Sequence, residues 1–317
     1  MTEELTFDEY ASTRNAYGET LVALGSERQD IIVLDADLSS STQTKLFSTR
    51  FPERFFNVGV AEQNLIDISA GIALSGKTVF ASTFAMFGTG RGWEMIRNTL
   101  AYDQLNVKLV FTHSGLLVGQ DGSCHQSLED IAIMRAIPGL TVMIPADANE
   151  TKAMIRYAAE TPGPFYIRLS REKTPVLFKE YHHKPSQPFV IEDGEDVTIC
   201  ATGVMVAMAL QARCRLSKEG VSARVINMNQ IKPLDADFIV KNAKETGAIV
   251  TAEEHSIIGG IGSAIAETLA ERHPTPMRRI GTQDKFGESG LGFELLEKYG
   301  LTASAIANAA KELVKQK

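Results

Sequence analysis

The sequence predicts an α/β chain of two doubly wound domains. Strand-length apolar runs alternate with helix-patterned segments, the runs are nearly continuous in apolar residues, and the alternation starts afresh beyond a proline-containing stretch. A chain of 317 residues is long enough for two domains, each burying its own core. In the first half DIIVLDADL (30–38), KTVFAST (77–83), VKLVFTH (107–113), LTVMIP (140–145) and PFYIRLS (164–170) read as strands of a mainly parallel sheet. Leu65, Ile68 and Ile72 fall on one predicted helix face, and ANETKAMIRYAAE (148–160) reads as a second helix opened by its Asn behind Pro145. EKTPVLFKEYHHKPSQPF (172–189), with three prolines and mixed charge, marks a boundary. It divides the chain into a domain at 1–175, a linker at 176–189 and a domain at 190–317. In the second domain DVTICATG, SARVINM and GAIVTAEE read as strands. MVAMALQARCRLSKEG, GGIGSAIAETLAERH and TASAIANAAKELVKQK read as helices, the first closed by Gly220.

Composition excludes several classes. The net charge of −7, without any run of five like charges, argues against nucleic acid or an anionic membrane as the main partner. Apolar runs such as IIVL are strand-length, so no membrane span is expected. The acidic start MTEELTFDEY lacks the basic and then apolar character of a secretory signal, and a cytoplasmic location is expected. Cys124, Cys200 and Cys214 lack CxxC spacing and read as free thiols. His182 and His183 lack a third ligand nearby, so they read as linker surface and no metal site is assigned. GGIG (259–262) lacks the Lys-Ser/Thr of a P-loop and reads as a place of close helix–sheet packing.

Two segments carry chemistry. GVAEQN (59–64) places Glu62 in the first turn of a helix behind the apolar FFNVGV, where burial would raise a carboxylate's pKa. GQDGSCHQSLED (119–130) sets Asp121 and His125 in a glycine-punctuated loop, a pair able to hold hydroxyls and move a proton near neutral pH. STFAMF adds Phe84 and Phe87 after a strand, and His113 ends another strand. Acids and histidines at the mouths of helices that follow strands are how open α/β sheets build sites.

Together these segments resemble the pyrimidine-binding half of transketolase, whose corresponding loop reads G-E-D-G-P-T-H-Q; here Ser123-Cys124 replaces Pro-Thr. The resemblance covers essentially the whole chain, strongest from Arg14 to Arg171. It implies a pyrimidine-binding thiamine diphosphate domain followed by a transketolase C-terminal domain. It also implies that Glu62 hydrogen-bonds the cofactor's aminopyrimidine, Phe87 stacks on that ring and Phe84 lines its pocket. The next aromatic of the family falls at Gly90, a departure in the cofactor wall. Asp121 is implied to read a sugar hydroxyl, His125 to bind the donor's terminal hydroxyl and carbonyl, and His113 matches a family active-site histidine. Arg14, Ser41 and Arg171 match phosphate-binding positions, where arginine's fork suits paired oxygens, and Asp37 matches an acid facing the thiazolium across a subunit boundary.

The chain has no Gly-Asp-Gly segment with a following Asn, the family's diphosphate and metal motif. The implied assembly is therefore a split transketolase of the pentose phosphate pathway. A separate N-terminal subunit would hold the diphosphate with Mg2+ or Ca2+, and this chain would dimerise on itself in an α2β2 heterotetramer acting on phosphosugars. The rival readings are the β subunit of a 2-oxo-acid dehydrogenase, a deoxyxylulose phosphate synthase-like enzyme, and a non-catalytic scaffold subunit. A scaffold has no need of Glu62, Phe87, Asp121 and His125 together.

Overall fold

The computed structural model describes residues 5–317. Its strands are β1 (Tyr10–Ala11), β2 (Ile31–Asp35), β3 (Phe55–Asn57), β4 (Thr78–Ser82), β5 (Val107–Phe111), β6 (Thr141–Met143), β7 (Phe165–Arg168), β8 (Thr174–Pro175), β9 (Phe189–Glu192), β10 (Val197–Ala201), β11 (Ala223–Asn227), β12 (Gln230–Lys232), β13 (Ile249–Ser256) and β14 (Met277–Thr282). The first sheet runs β12-β6-β7-β5-β4-β2-β3, parallel throughout except for β12 at its edge. The second runs β14-β13-β10-β11-β9, with only β9 antiparallel. A short antiparallel pair, β1 with β8, closes the N-terminal region against the segment after β7.

Alternation along β2 shows why the first sheet is covered twice. Ile31 and Val33 pack with Tyr17, Leu21 and Leu24 of the helix Thr13–Glu27 and with Met154 and Ile155 of the helix Ala148–Glu160. Ile32 and Leu34 face the other way, onto Leu65, Ile66 and Ala70. Successive strand side chains point to opposite faces, so continuous apolar runs can only be buried between two helical layers. This is the doubly wound α/β fold the sequence predicts.

Several expectations are corrected. On the helix Glu62–Leu74 the buried face is Leu65, Ile66, Ser69, Ala70 and Ala73, while Ile68 is exposed. Helix Ala148–Glu160 is capped by Asp147, whose side chain accepts from the Glu150 amide, and not by Asn149. The stretch 176–189 makes contacts with the first domain, since Asp147 accepts the amides of Leu177 and Phe178, and just before it β8 pairs with β1. His182 and His183 are exposed as expected, with His183 stacked on Phe189 at 3.6 Å. The chain beyond Val190 also returns to the first sheet, because β12 pairs with β6.

The GGIG segment packs closely against the second sheet, as read. A Cβ on Gly262 would lie 2.7 Å from Thr251 Oγ1. The helix start that could have held an anion is filled from within, since Ile261 and Gly262 donate their amides to Glu253 at 2.8 and 2.9 Å. Cys200 is buried, and burial pushes its thiol up to about 12; Cys124 is exposed. No helix of the described residues is long and apolar enough to cross a membrane, and none of their His, Cys, Asp and Glu side chains form a metal-holding group of three.

Candidate active site

The segments that follow β2, β3, β4, β5 and β7 converge beyond the C-terminal ends of the parallel strands, where open α/β sheets place their ligands. After β2, Asp35 is buried and its carboxyl is pushed up to about 6 by that burial, against the donated bonds of Thr42, Leu38 and Thr44. These bonds shape the turn in which Asp37 sits at φ +65° and Ser41 follows. Asp37 is exposed and accepts from Asn57 Nδ2 at 2.8 Å.

After β3, Glu62 opens its helix and is only 4 % exposed. It is not a solitary buried acid: Arg91 Nη1 reaches both carboxylate oxygens at 3.1 Å. Phe84 and Phe87 follow β4 at the start of the helix Ala85–Arg91. Gly88 lets that helix settle on β5, since a Cβ there would stand 2.3 Å from the Phe111 ring. The Arg91 guanidinium lies 4.6 Å over Phe87. At Gly90, where the family carries an aromatic, a Cβ would meet only the end of Met86 at 3.9 Å, so that part of the wall is open.

After β5, His113 takes φ +56°, a left-handed conformation that is costly for a non-glycine residue. Its ring stacks on Phe84 at 3.8 Å and its Nδ1 lies 2.8 Å from Thr112 Oγ1. Burial, with the neighbouring charges of Arg14, Arg171 and His125, pushes its pKa down to about 2. His113 is therefore neutral and can exchange hydrogen bonds without acting as a cation. His125 presents its ring edge-on to Phe87 at 5.1 Å, and Cys124 Sγ lies 3.1 Å from its Nδ1. Phe84, Phe87, His113 and His125 thus form one aromatic cluster.

After β7, Arg171 meets Arg14. The Arg14 guanidinium donates to the Arg171 carbonyl at 3.1 and 2.8 Å and to the Ser41 carbonyl at 2.5 Å. Ser41 therefore contributes its backbone to this contact. Arg171 in turn donates to the Val118 carbonyl and stands 3.9 Å from Asp121 Oδ1. Burial, then the like charge of Arg171, lowers the Arg14 pKa. Arg14 and Arg171 bring like charges to one place, where Glu172 offsets part of their repulsion and an anion would offset more. They line an open cleft of about 570 Å3 with Tyr10, Ser12, Asn15, Glu172, Lys173 and Phe293.

The structure therefore gathers Arg14, Ser41, Asp121 and Arg171 into one group, Phe84, Phe87, His113 and His125 into a second, and joins Glu62 to the second through Arg91. Sequence reasoning missed Arg91, whose one signal was its place four residues after Phe87, one helical turn on. It also missed Asp35, a strand-end acid without any motif around it.

Comparison with known proteins identifies the family of the two domains. The family model "Transketolase, pyrimidine binding domain" matches residues 9–176, and "Transketolase, C-terminal domain" matches residues 189–306. A protein of Methanocaldococcus jannaschii named as a transketolase C-terminal section is 49 % identical, covering 97 % of this chain and 98 % of its own. A 6-deoxy-6-sulfo-D-fructose transketolase subunit of a Clostridium strain is 41 % identical, covering 96 % of this chain and 95 % of its own. A solved structure titled as a split gene transketolase, inactive beta4 tetramer, superposes with a TM-score of 0.89 at 50 % identity, over 96 % of this chain and 98 % of that one. The chain belongs to the transketolase family, of which it carries the pyrimidine-binding and C-terminal domains.

Proposed function

We propose that this chain is the C-terminal subunit of a two-chain transketolase, moving a two-carbon ketol unit from a ketose phosphate to an aldose phosphate. The observation that carries the reading is the convergence of Glu62, the Phe84–Phe87–His113–His125 cluster and the Arg14–Arg171 pair beyond the ends of one parallel sheet. Membership of the family implies thiamine diphosphate. The residues present fit its pyrimidine half: a buried carboxylate at a helix start stands beside an aromatic face, with open space at Gly90. When bound, the cofactor supplies the nucleophilic carbon and the electron sink for breaking a carbon–carbon bond. In this reading the diphosphate and its Mg2+ or Ca2+ belong to a separate N-terminal subunit.

Glu62 would hydrogen-bond the cofactor's ring nitrogen, and Arg91 is the group that would have to give way at Phe87. His113, neutral at all working pH values, offers a hydrogen bond without adding charge beside the reacting carbonyl. His125 and Asp121, on the loop after β5, orient the sugar's hydroxyls and carbonyl, and His125 moves protons at its ring nitrogens. Arg14 and Arg171 hold the terminal anion of the sugar, with fork geometry matched to paired oxygens. Asp37, exposed at the mouth, faces the second half of the site across the subunit boundary.

The test is co-purification with an N-terminal transketolase subunit carrying the Gly-Asp-Gly and Asn motif, followed by a ketol-transfer assay. The pair should transfer ketol units and either chain alone should not. Turnover by this chain alone, or an inert pair that binds thiamine diphosphate, would overturn the reading. Phosphorylated and sulfonated sugars assayed side by side would identify the anion that Arg14 and Arg171 hold.

A further inference from the structure

The second domain does more than sit beside the first. Two glycines of the segment after β14, at 287 and 292, and Gly119 on the facing loop allow that segment to press against the loop that carries Asp121 and His125. A Cβ on Gly287 would lie 1.8 Å from Gln126 Oε1, and one on Gly292 would lie 3.0 Å from Leu117 Cδ2. A Cβ on Gly119 would lie 3.3 Å from the Gly290 carbonyl. Hydrogen bonds fasten the contact. Gln126 Nε2 donates to the carbonyl of Glu288 at 2.9 Å, as well as to those of Gly119 and Leu116 within its own loop. Ser289 Oγ donates to the Gln120 carbonyl at 2.7 Å.

A second prop comes from β13. Glu254 Oε1 accepts the Leu117 amide at 2.7 Å, and Gly115, at φ +72°, leaves room for that carboxylate. The segment after β14 runs on to Phe293, which lines the Arg14–Arg171 cleft. The loop is thus tied to the second domain on both sides of His125's sequence neighbourhood, while His125 itself makes no contact with that domain among the interactions above.

We infer that the segment Gly287–Phe293 of the second domain is a positioning strap for the loop Gly115–Gln126. Gln126 and Ser289 act as positioning residues, holding Asp121 and His125 in register with the cleft. The strap deepens the transketolase reading, yet its existence does not depend on that reading, because it can be measured in the chain itself.

The experiment is amide hydrogen exchange on the full chain and on two variants, read peptide by peptide. Ser289→Ala removes one bond, and exchange across residues 116–126 should quicken by about 2- to 10-fold. Gly287→Ala must expel the Gln126 amide, and the same peptides should quicken by about 10-fold or more. Peptides of β4, β5 and β10 should be unchanged in both. Unaltered exchange at 116–126 in Ser289→Ala and Gly287→Ala overturns the strap, as does quickening spread equally over all strands in Ser289→Ala. In the reconstituted pair, the strap further requires that Ser289→Ala raise KM for the donor sugar more than it lowers kcat. A ketol-transfer failure of the parent pair would sink the functional reading and leave the exchange result standing.

Discussion

Arg91 bonds both oxygens of Glu62 at 3.1 Å while its guanidinium covers the Phe87 ring at 4.6 Å. One side chain therefore occupies the two contacts that the proposed function assigns to the cofactor's pyrimidine. Glu62 is 4 % exposed and Arg91 56 % exposed, so the arginine can leave for water whereas the carboxylate cannot. Arg91 can therefore be exchanged for another donor, provided that donor takes its place on the buried carboxylate.

Glu62→Gln should leave the fold intact and lower turnover of the reconstituted pair by about 10²–10⁴-fold, the range of general acid–base contributions. An amide keeps the volume but loses the charge that holds a proton at the ring nitrogen. Turnover and far-ultraviolet circular dichroism of the variant check this; a folded variant with near-parental turnover would show that another acid does the work.

Arg171→Ala should raise KM for phosphorylated acceptors far more than for unphosphorylated ones. A charge-assisted hydrogen bond is worth about 1.5–3 kcal/mol, or about 10–150-fold in affinity. Arg171 also holds the Val118 carbonyl and faces Asp121, so part of the loss could be shared by both acceptor classes. The ratio of the two effects is the measurement, and a ratio of one would make Arg171 structural.

What was legible in the sequence follows from range of interaction. Most strands of the first sheet could be read because a buried parallel strand must be apolar on both faces, as Ile31–Leu34 is. Glu62, Asp121 and His125 could be found because their neighbours in the chain form motifs. The face of the helix Glu62–Leu74 was misread because Ile68 points outward, an exposed apolar residue that periodicity counts as core. β12 was missed because three residues become a strand only when β6 supplies the partner. Arg91, Asp35 and the Gln126–Glu288 contact depend on pairings that the tertiary fold creates, and no local pattern announces them.

Glu150 gives a pH test of the contact between the two domains. Its carboxylate accepts from the Ala146 amide, Tyr181, Asn227 and Asn229, the last two from the second domain. Burial pushes its pKa up to about 7, with these donors opposing. A folded pKa above the unfolded one means that the folded chain binds more protons between pH 4.5 and 7. The contribution of Glu150 is then greatest below that window and falls as pH rises through it, by up to about 3 kcal/mol. Glu150→Gln lacks this dependence, so its deficit against the parent should be larger at acidic pH than at alkaline pH. Urea unfolding of both proteins on either side of the window checks the sign, and a deficit independent of pH would show that Glu150 titrates normally.

The isolated chain should self-associate, at least to a dimer. Phe56, Val60, Ile68, Leu74 and Tyr102 are all exposed, with Val60 and Leu74 each at 73 %. They lie on the helix Glu62–Leu74, on the strand and turn leading into it, and on the segment Ile96–Tyr102. Five large apolar side chains exposed on and around one helix are more than a monomer's surface needs, and buried together they would form an interface. Full burial of such side chains yields about 1.5–3 kcal/mol each, enough to drive association once the entropy of docking is met. Placing this surface beside Glu62 also brings two sites close to one twofold axis, the commonest closed arrangement. Val60→Asp and Leu74→Asp change side chains that are mostly in water, so the fold should survive while the association weakens. Light scattering decides between the outcomes. A parent at 34.6 kDa at micromolar concentration would refute self-association, and an unchanged oligomer in both variants would move the interface elsewhere.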